Sequence, residues 1–245
     1  MSDAPLLIAS GLERRVGDIE ILRGVSLEVQ RGDVLGIIGP SGSGKSSLLR
    51  CIAGLDPLNA GAVTVAGKAA RPGDGAIGMV FQNFALWPHL TAEENVAMPL
   101  RVARGVKREE ARQVARAALS RVGLGQLTAR KPSAMSGGQQ QRVAIARTIA
   151  ARPNVVLFDE PTASLDPELT TEVLDVIRDL ARDGLTMLVV SHEMGFIHSV
   201  ANRAIFMDHG RILVDGPTTR VFDRPEEERL RRFLDSYLSR VAWSA

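Results

Sequence analysis

The sequence has little cysteine and no long apolar run. Cys51 is the only cysteine in 245 residues, so an internal disulfide is excluded, and its helical surroundings predict a packed thiol. No apolar run approaches the roughly 18 residues that a membrane-spanning helix needs. The first five residues also lack the basic start of a signal peptide. We therefore expect a cytoplasmic protein that acts at a membrane only through a partner.

The chain also has little net charge. The 30 basic and 28 acidic residues leave a formal charge of +2, and a hydrophobic content of 45% is ordinary for a globular protein. This near balance does not indicate a surface that binds nucleic acid, so we expect no nucleic-acid partner. The length suits one domain of compound build or two small ones.

Lysine is scarce as well: the chain has four lysines, and its other basic residues are arginines. One of these lysines lies in a glycine-rich stretch. This stretch, Gly39 to Ser46, fits the pattern G-x-x-x-x-G-K-[ST] between an apolar run and a helical segment, which is typical of a phosphate-binding loop. Glycines let backbone N–H groups turn toward phosphate oxygens, Lys45 should reach the β- and γ-phosphates, and the Ser46 hydroxyl should bind Mg²⁺. The alternative, a plain strand-to-helix turn, is unlikely in this context. The predicted nucleotide contacts are Gly39, Pro40, Ser41, Gly42, Ser43, Gly44, Lys45, Ser46 and Ser47.

The hydrophobic pattern predicts an α/β fold. Short alternating runs ahead of residue 34 indicate antiparallel strands, and the continuous apolar runs Val155–Phe158 and Thr186–Val190 indicate buried parallel strands. We predict a P-loop NTPase core with a mainly parallel sheet, an N-terminal antiparallel β subdomain and an inserted α-helical subdomain. The predicted core comprises residues 1–82 and 152–245, and the predicted helical subdomain comprises residues 83–151.

Several helix and turn signals accompany this pattern. Thr91 and Glu94 predict a capping box, and Pro167 suits the first position of a helix. The helical faces are predicted to bury Ala111, Val114, Ala115, Ala118 and Val122 in one helix, and Leu169, Val173, Val176, Ile177 and Leu180 in another. A hairpin is predicted at Asp208-His209-Gly210, and a closing helix from Glu226 to Leu238.

Polar residues at the ends of predicted strands form a candidate catalytic set. Asp159 ends an apolar strand and can hold Mg²⁺, and Glu160 beside it suits a general base that polarises water. Gln82 could face metal and water, and His192 could face a phosphate oxygen. The competing interpretations are two acids that cap a strand in solvent and a purely structural histidine.

A second candidate phosphate site is Ser136-Gly137-Gly138-Gln139, which offers a hydroxyl and backbone amides at a helix start. On its own, a plain helix cap explains it better. One chain has little need for two γ-phosphate sites, whereas a dimer can lend one to its neighbour.

Together these motifs resemble the ATP-binding subunit of ABC transporters over nearly the whole chain. The motifs are Gly39 to Ser46, Gln82, Ser136 to Arg142, Val155 to Glu160, Ser164-Leu165-Asp166 and His192. More narrowly, Phe81 to Thr91, Ser191 to Phe196 and Ile205 to Asp208 look like bacterial importers for polar amino acids.

The resemblance implies a head-to-tail dimer, with itself or a paralogous ATPase subunit, in which Gly39 to Ser46 of one subunit and Ser136 and Gly138 of the other enclose ATP. It adds Asp166 to the nucleotide contacts. It also implies permease subunits that dock near Asn83 to Leu90, an extracytoplasmic solute-binding protein as an indirect partner, and a peripheral location on the cytoplasmic face of the membrane. Phe84, Leu86 and Trp87 could form the docking patch, although at least one of them is expected to fill the helical core.

Two other functions keep the same chemistry. One is the ATPase of an exporter or of a lipid or lipoprotein extraction complex, and the other is a soluble ABC ATPase with a nucleic-acid or regulatory role. A long coiled-coil insertion, zinc cysteines or a basic face would favour the soluble class, and the sequence contains none of them.

Two positions depart from the family pattern. Val16 stands where the family usually has an aromatic ring near the adenine, so we predict weak discrimination between ATP and GTP. Met135 stands where leucine is commoner, and this change keeps size and polarity.

Overall fold

The computed structural model describes residues 4–242. By contact density the chain forms two compact units: unit 1 comprises Met1–Ala70 and Thr186–Ala245, and unit 2 comprises Arg71–Leu185. The predicted boundaries at residues 82 and 152 stay a prediction, because contact density does not test the nucleotide-binding role on which they rest. None of the helices within residues 4–242 is long and apolar enough to cross a membrane.

Ten strands and eight α-helices are found in the described residues. In chain order they are β1 (Leu7–Val16), β2 (Ile19–Val29), β3 (Val34–Ile38), α1 (Lys45–Ile52), β4 (Ala60–Val65), β5 (Lys68–Ala69), β6 (Ile77–Val80), α2 (Ala92–Arg104), α3 (Arg108–Arg121), α4 (Gly137–Ala150), β7 (Val155–Asp159), α5 (Pro167–Arg182), β8 (Met187–Val190), α6 (Met194–Val200), β9 (Arg203–Asp208), β10 (Arg211–Pro217), α7 (Thr218–Asp223) and α8 (Glu228–Ala242).

Unit 1 contains an antiparallel sheet with the strand order β2-β1-β4-β5. The prediction of antiparallel strands ahead of the glycine-rich stretch is confirmed, but the runs Glu20–Leu22 and Val25–Val29 form one strand rather than two. Leu12 pairs with Val25 and Glu13 with Arg23, so Gly24 between them is an extra residue in a β-bulge. Its φ of 74° is readily reached only by glycine, which lets the strand continue through the apparent break.

Unit 1 also contains strands in the order β10-β9-β3-β8, in which β3 runs parallel to both β8 and β9. Every residue of β3 and β8 is buried, which explains their continuous apolar sequence. The predicted hairpin between β9 and β10 is confirmed. Its two turn residues, His209 and Gly210, have φ values of 45° and 75°, as a type I′ turn requires.

Unit 2 combines four helices with the parallel strand pair β6–β7. The predicted capping box at the start of α2 is confirmed. The Glu94 N–H donates to Thr91 Oγ1 at 3.2 Å, and the Thr91 N–H donates to Glu94 Oε2 at 2.8 Å. The bond from the Thr91 N–H lowers the pKa of the Glu94 carboxyl, because it favours the charged form.

The predicted inner faces of the helices are mostly confirmed. In α3, Val114 is only half-buried and Leu119 is fully buried instead. In α5, Leu169 and Val176 are half-buried and Leu174 is buried. Each prediction assumed that only one narrow stripe of the helix is buried. In the structure the rest of the protein covers a wider face of each helix, which also includes Leu119 and Leu174. As predicted, α5 has Pro167 at its first position.

The closing helix predicted from about Glu226 to Leu238 is confirmed as α8, which begins two residues later and extends to Ala242. The structure has α7, then a break that contains Pro225, then α8 from Glu228 to Ala242. Proline disfavours helical geometry in the residue before it, so the chain starts a new helix after it.

Candidate functional site

The glycine-rich stretch joins β3 to α1 within unit 1, as predicted. Gly39, Gly42 and Gly44 have φ values of 148°, 79° and 100°. A Cβ at Gly39 would overlap the carbonyl oxygen of Met207, and a Cβ at Gly44 would lie 3.0 Å from the carbonyl oxygen of Ile21. Glycine is therefore required by both backbone conformation and space at Gly39 and Gly44, and by backbone conformation alone at Gly42.

Lys45 is buried at the start of α1, with 6% of its surface exposed. Its Nζ donates to the carbonyl oxygens of Gly39 at 2.8 Å and Pro40 at 2.9 Å. A buried ammonium needs such partners, and both belong to the glycine-rich stretch itself. The cation is thereby held against the inner side of the turn, where predicted phosphate contacts converge.

The turn between β9 and β10 is hydrogen-bonded to the glycine-rich stretch. The Gly210 N–H donates to the Ser43 carbonyl oxygen at 3.0 Å, and the Arg23 N–H donates to the Gly210 carbonyl oxygen at 3.0 Å. Ser43 is 2% exposed, and its Oγ has no hydrogen-bond partner in the described residues. Pro40, Ser46 and Ser47 are half-buried, and Ser41 and Gly42 are exposed, so the outer surface of the turn is accessible.

The N-terminus of α1 carries partial positive charge, as any helix start does. Its first turn holds no acidic residue, and the buried Lys45 adds a full positive charge. An anion is therefore the ligand that this end of the helix favours.

His192 lies at the same end of the unit 1 sheet as the glycine-rich stretch. Ile37 pairs with Val190 in the parallel strands β3 and β8, and Gly39 and His192 each follow two residues later. His192 is exposed, and the preceding Ser191 Oγ accepts a hydrogen bond from the Glu193 N–H at 3.0 Å. His192 thus lies on the solvent-accessible surface at this edge of the sheet.

Val16 ends β1 and pairs with Ile19 at the start of β2. Both side chains are large, apolar and exposed, at 56% for Val16 and 66% for Ile19. The tip of this hairpin offers an apolar surface without an aromatic ring.

Asp159 and Gln82 lie at one end of the strand pair in unit 2. Val80 pairs with Phe158, Asp159 is the last residue of β7, and Gln82 follows β6 by two residues. Asp159 is half-buried and Gln82 is exposed. Parallel strands therefore bring two of the three predicted metal ligands to the same edge.

Glu160 has a backbone conformation that is rare for its residue type. Its φ is 47°, and the residue that follows is Pro161, which normally favours extended geometry in the residue before it. Non-glycine residues held in the left-handed region cost about 1–3 kcal/mol and cluster at functional sites. This strain supports the interpretation of Glu160 as a functional residue.

Ser136 caps α4 and is exposed. The Gln139 N–H donates to Ser136 Oγ at 3.2 Å, and the Ser136 N–H donates to Gln139 Oε1 at 3.2 Å. The predicted alternative of a helix cap is thus present, and it does not exclude a phosphate contact, because the capping oxygen is an acceptor and the hydroxyl proton can still be donated.

Gly137 and Gly138 pack tightly against the start of α5. A Cβ at Gly137 would lie 2.9 Å from Leu165 Cδ2, and a Cβ at Gly138 would lie 3.2 Å from Leu169 Cβ. Asp166 caps α5 by accepting a hydrogen bond from the Leu169 N–H at 3.0 Å. The starts of α4 and α5 therefore lie together, with Ser136 on the exposed side.

Two residues that sequence reasoning missed hold the segment from Asn83 to Leu90. Asn95, fully buried in α2, accepts from the Trp87 N–H at 2.8 Å and donates to the carbonyl oxygens of Trp87, Leu90 and Thr91. Arg147 of α4 is the other. A polar residue on the apolar face of a helix was the available signal for Asn95.

The three large apolar residues expected to form the docking patch, Phe84, Leu86 and Trp87, are each half-buried. The Phe84 ring lies 3.7 Å from the position of a Cβ at Gly137. Each of the three therefore keeps an exposed fraction while it contacts the protein.

The strand-turn-helix unit and the mixed sheets define the class of a P-loop NTPase. A family model described as ABC transporter matches residues 22–163, and the chain belongs to this family. ATP-binding proteins of this family hydrolyse ATP, so the chain is an ATPase.

Curated relatives match almost end to end. The chain is 50% identical over 231 residues to the glutamine transport ATP-binding protein GlnQ of Escherichia coli, which covers 91% of this chain and 96% of GlnQ. It is 46% identical over 242 residues to GlnQ of Bacillus subtilis, with 96% and 100% covered, and 48% identical over 231 residues to the Escherichia coli L-cystine transport system ATP-binding protein TcyN, with 89% and 92% covered.

A solved structure shares the fold. The ATP-binding cassette MJ0796, in a dimeric post-hydrolysis state bound to ADP and Pi, superposes with a TM-score of 0.76. It is 34% identical, and the match covers 86% of this chain and 98% of that one.

Proposed function

We propose that this ATPase powers the import of a polar amino acid or a similar small solute. The observation that carries the proposal is identity of 46–50% to GlnQ and TcyN over nearly their whole lengths, since their names assign them to glutamine and cystine transport. The relatives also include a glutamate transport ATP-binding protein of Corynebacterium glutamicum that is 44% identical. All of these solutes are polar amino acids.

In the proposed mechanism Glu160 is the general base that polarises the attacking water. Lys45 and the backbone N–H groups of the non-proline residues from Gly39 to Ser46 bind the phosphates, and His192 contacts the γ-phosphate from the same sheet end. The strained backbone of Glu160 and the buried, carbonyl-bound ammonium of Lys45 support these roles.

The residues present fit Mg²⁺. Ser46 offers a hydroxyl, Gln82 an amide oxygen and Asp159 a carboxylate, and oxygen atoms are the ligands that this hard cation prefers. Gln82 and Asp159 follow the paired residues Val80 and Phe158, which supports a shared role. When bound, the ion would neutralise charge on the phosphate oxygens.

We further propose a head-to-tail dimer in which Ser136, Gly137, Gly138 and Gln139 of one subunit, with Asp166, complete the ATP site of the other. The dimeric state of MJ0796 supports dimerisation. The exposed Ser136 hydroxyl at a helix start supports a phosphate contact with a second molecule.

Permease subunits are the proposed membrane partners, and Asn83 to Leu90 is the proposed docking segment. Its half-buried apolar side chains offer contact area to a partner. Such docking would hold the ATPase at the cytoplasmic face of the membrane, and a solute-binding protein would act through the permease.

The proposed function is tested by purifying the tagged chain with its native membrane in mild detergent and identifying the proteins that accompany it. We expect permease subunits whose complex, in lipid nanodiscs, hydrolyses ATP faster when a binding protein loaded with a polar amino acid is added. Accompanying export or lipoprotein-release proteins would contradict the proposal, as would ATP hydrolysis indifferent to every loaded binding protein.

Nucleotide discrimination at Val16 gives a separate prediction. Because Val16 cannot stack on a base, GTP should compete with ATP at comparable concentrations, and Val16→Tyr should tighten ATP binding about three- to tenfold, the worth of one aromatic contact. Competition binding with labelled ATP measures both effects. Val102→Tyr, at an exposed site in unit 2, is the control. A strong preference of the unchanged protein for ATP would refute the prediction.

A further inference from the structure

Arg147 of α4 grips the backbone of the segment that follows Gln82. Its Nη1 donates to the Ala85 carbonyl oxygen at 2.6 Å, and its Nη2 donates to the Phe84 carbonyl oxygen at 3.1 Å. Its guanidinium carbon also lies 5.3 Å from the centre of the Trp87 ring. One side chain thus contacts three neighbouring residues of this segment.

The backbone at these residues is in an unfavourable conformation. Phe84 and Ala85 have φ values of 58° and 48°, two consecutive left-handed residues neither of which is glycine. Side chains with a Cβ avoid this region, so the turn needs outside contacts to persist. A planar guanidinium that binds two successive carbonyl oxygens supplies such contacts, because its N–H groups point in parallel directions.

The electrostatic setting of Arg147 is consistent with this grip. Burial lowers the pKa of its guanidinium, and in the part of the chain that the structure describes no carboxylate offsets that effect. The positive charge instead faces two carbonyl oxygens and the Trp87 ring, which attracts cations through its π-electrons. Arg147 is therefore committed to this segment and not to a surface ion pair.

The same helix also holds the backbone ahead of Gln82. Gln141 Nε2 donates to the Phe81 carbonyl oxygen at 3.2 Å. The single hydroxyl proton of Thr148 is shared between the Met79 carbonyl oxygen at 3.2 Å and the Ala144 carbonyl oxygen of α4 at 3.0 Å. Gln82 thus lies between two stretches of backbone that are both hydrogen-bonded to side chains of α4. Its path is set by contacts at positions 79, 81, 84 and 85.

We propose that Arg147 is a positioning residue for Gln82, which it places by holding the left-handed turn at Phe84 and Ala85. The inference rests on the proposed role of Gln82 at the metal and the attacking water. Loss of Arg147 lets the turn relax and moves Gln82 away from its working position. ATP binding, which depends on the glycine-rich stretch of unit 1, is retained.

The test compares kcat and KM for ATP in the purified full chain and five variants. Arg147→Ala should lower kcat by about ten- to a hundredfold, the cost of a small displacement, with KM changed less than about threefold. Arg147→Lys should recover little, since an ammonium lacks the planar fork. Adding Ala85→Gly to Arg147→Ala should recover at least about threefold in kcat, because glycine adopts the turn unaided.

The remaining variants separate the possible failures. Arg182→Ala, at an exposed arginine of α5, should match the unchanged protein. If Gln82→Ala leaves kcat unchanged, the proposed role of Gln82 fails and the inference with it. If Gln82→Ala lowers kcat and Arg147→Ala does not, the inference alone fails. It also fails if the added Ala85→Gly brings no recovery. Should Arg147→Ala not fold, Arg147→Lys with and without Ala85→Gly answers the same question.

Discussion

Glu160→Gln is expected to bind ATP with nearly unchanged affinity and to hydrolyse it about 10² to 10⁴ times more slowly. The amide keeps the size and hydrogen-bonding reach of the carboxylate but cannot accept a proton from water. With hydrolysis blocked, the proposed dimer should persist around bound ATP. Steady-state phosphate release measures the rate, and size-exclusion chromatography with ATP measures the dimer.

Glu110→Gln is the matched control, because Glu110 is an exposed acid in the first turn of α3. It should hydrolyse ATP at the rate of the unchanged protein. If Glu160→Gln also kept that rate, another group would have to be the base, and the strained backbone at position 160 would need a structural explanation.

The second large effect is expected at Gly39. Gly39→Ala should lower the free energy of unfolding by about 3 kcal/mol, because it combines a backbone conformation almost confined to glycine with overpacking against the Met207 carbonyl. Neither the backbone of β9 nor the turn can move without breaking sheet hydrogen bonds. Urea denaturation followed by circular dichroism measures the loss.

Gly42→Ala is the matched comparison in the same turn. Its φ of 79° is also unfavourable for alanine, but a Cβ there would meet no atom within 4 Å. We expect a loss of about 1–2 kcal/mol, the conformational part alone. Equal losses in the two variants would show that the Met207 contact is unimportant.

Much of the fold can be predicted from the sequence, because the local signals for helices, strands and turns agree with the elements in the structure. The apolar run of β7, the capping box at Thr91 and the turn at His209-Gly210 each depend on residues close in sequence. The bulge at Gly24 was not readable, because a glycine in an alternating pattern equally predicts the end of a strand. Whether the strand continues is decided by pairing with β1.

The candidate site divides along the same line. The spacing of its residues identifies Gly39 to Ser46, and the proposed roles of Asp159 and Glu160 rest on their place after an apolar strand. The left-handed backbone of Glu160 and the hydrogen bonds of Arg147 to Phe84 and Ala85 correspond to no recognisable sequence pattern. Arg147 contacts carbonyl groups, which every residue has, so the identity of its partners carries no sequence signal.

The hydrogen bonds of Gly210 connect the proposed nucleotide-binding stretch to a residue far along the chain. Gly210 joins the Ser43 carbonyl to the Arg23 amide through its own N–H and C=O groups, and a Cβ at that position would overlap the Ile21 carbonyl. A substitution at residue 210 would therefore present itself experimentally as a defect in ATP affinity. A variant at residue 210 is therefore expected to disturb the glycine-rich stretch in the same way as a variant within that stretch.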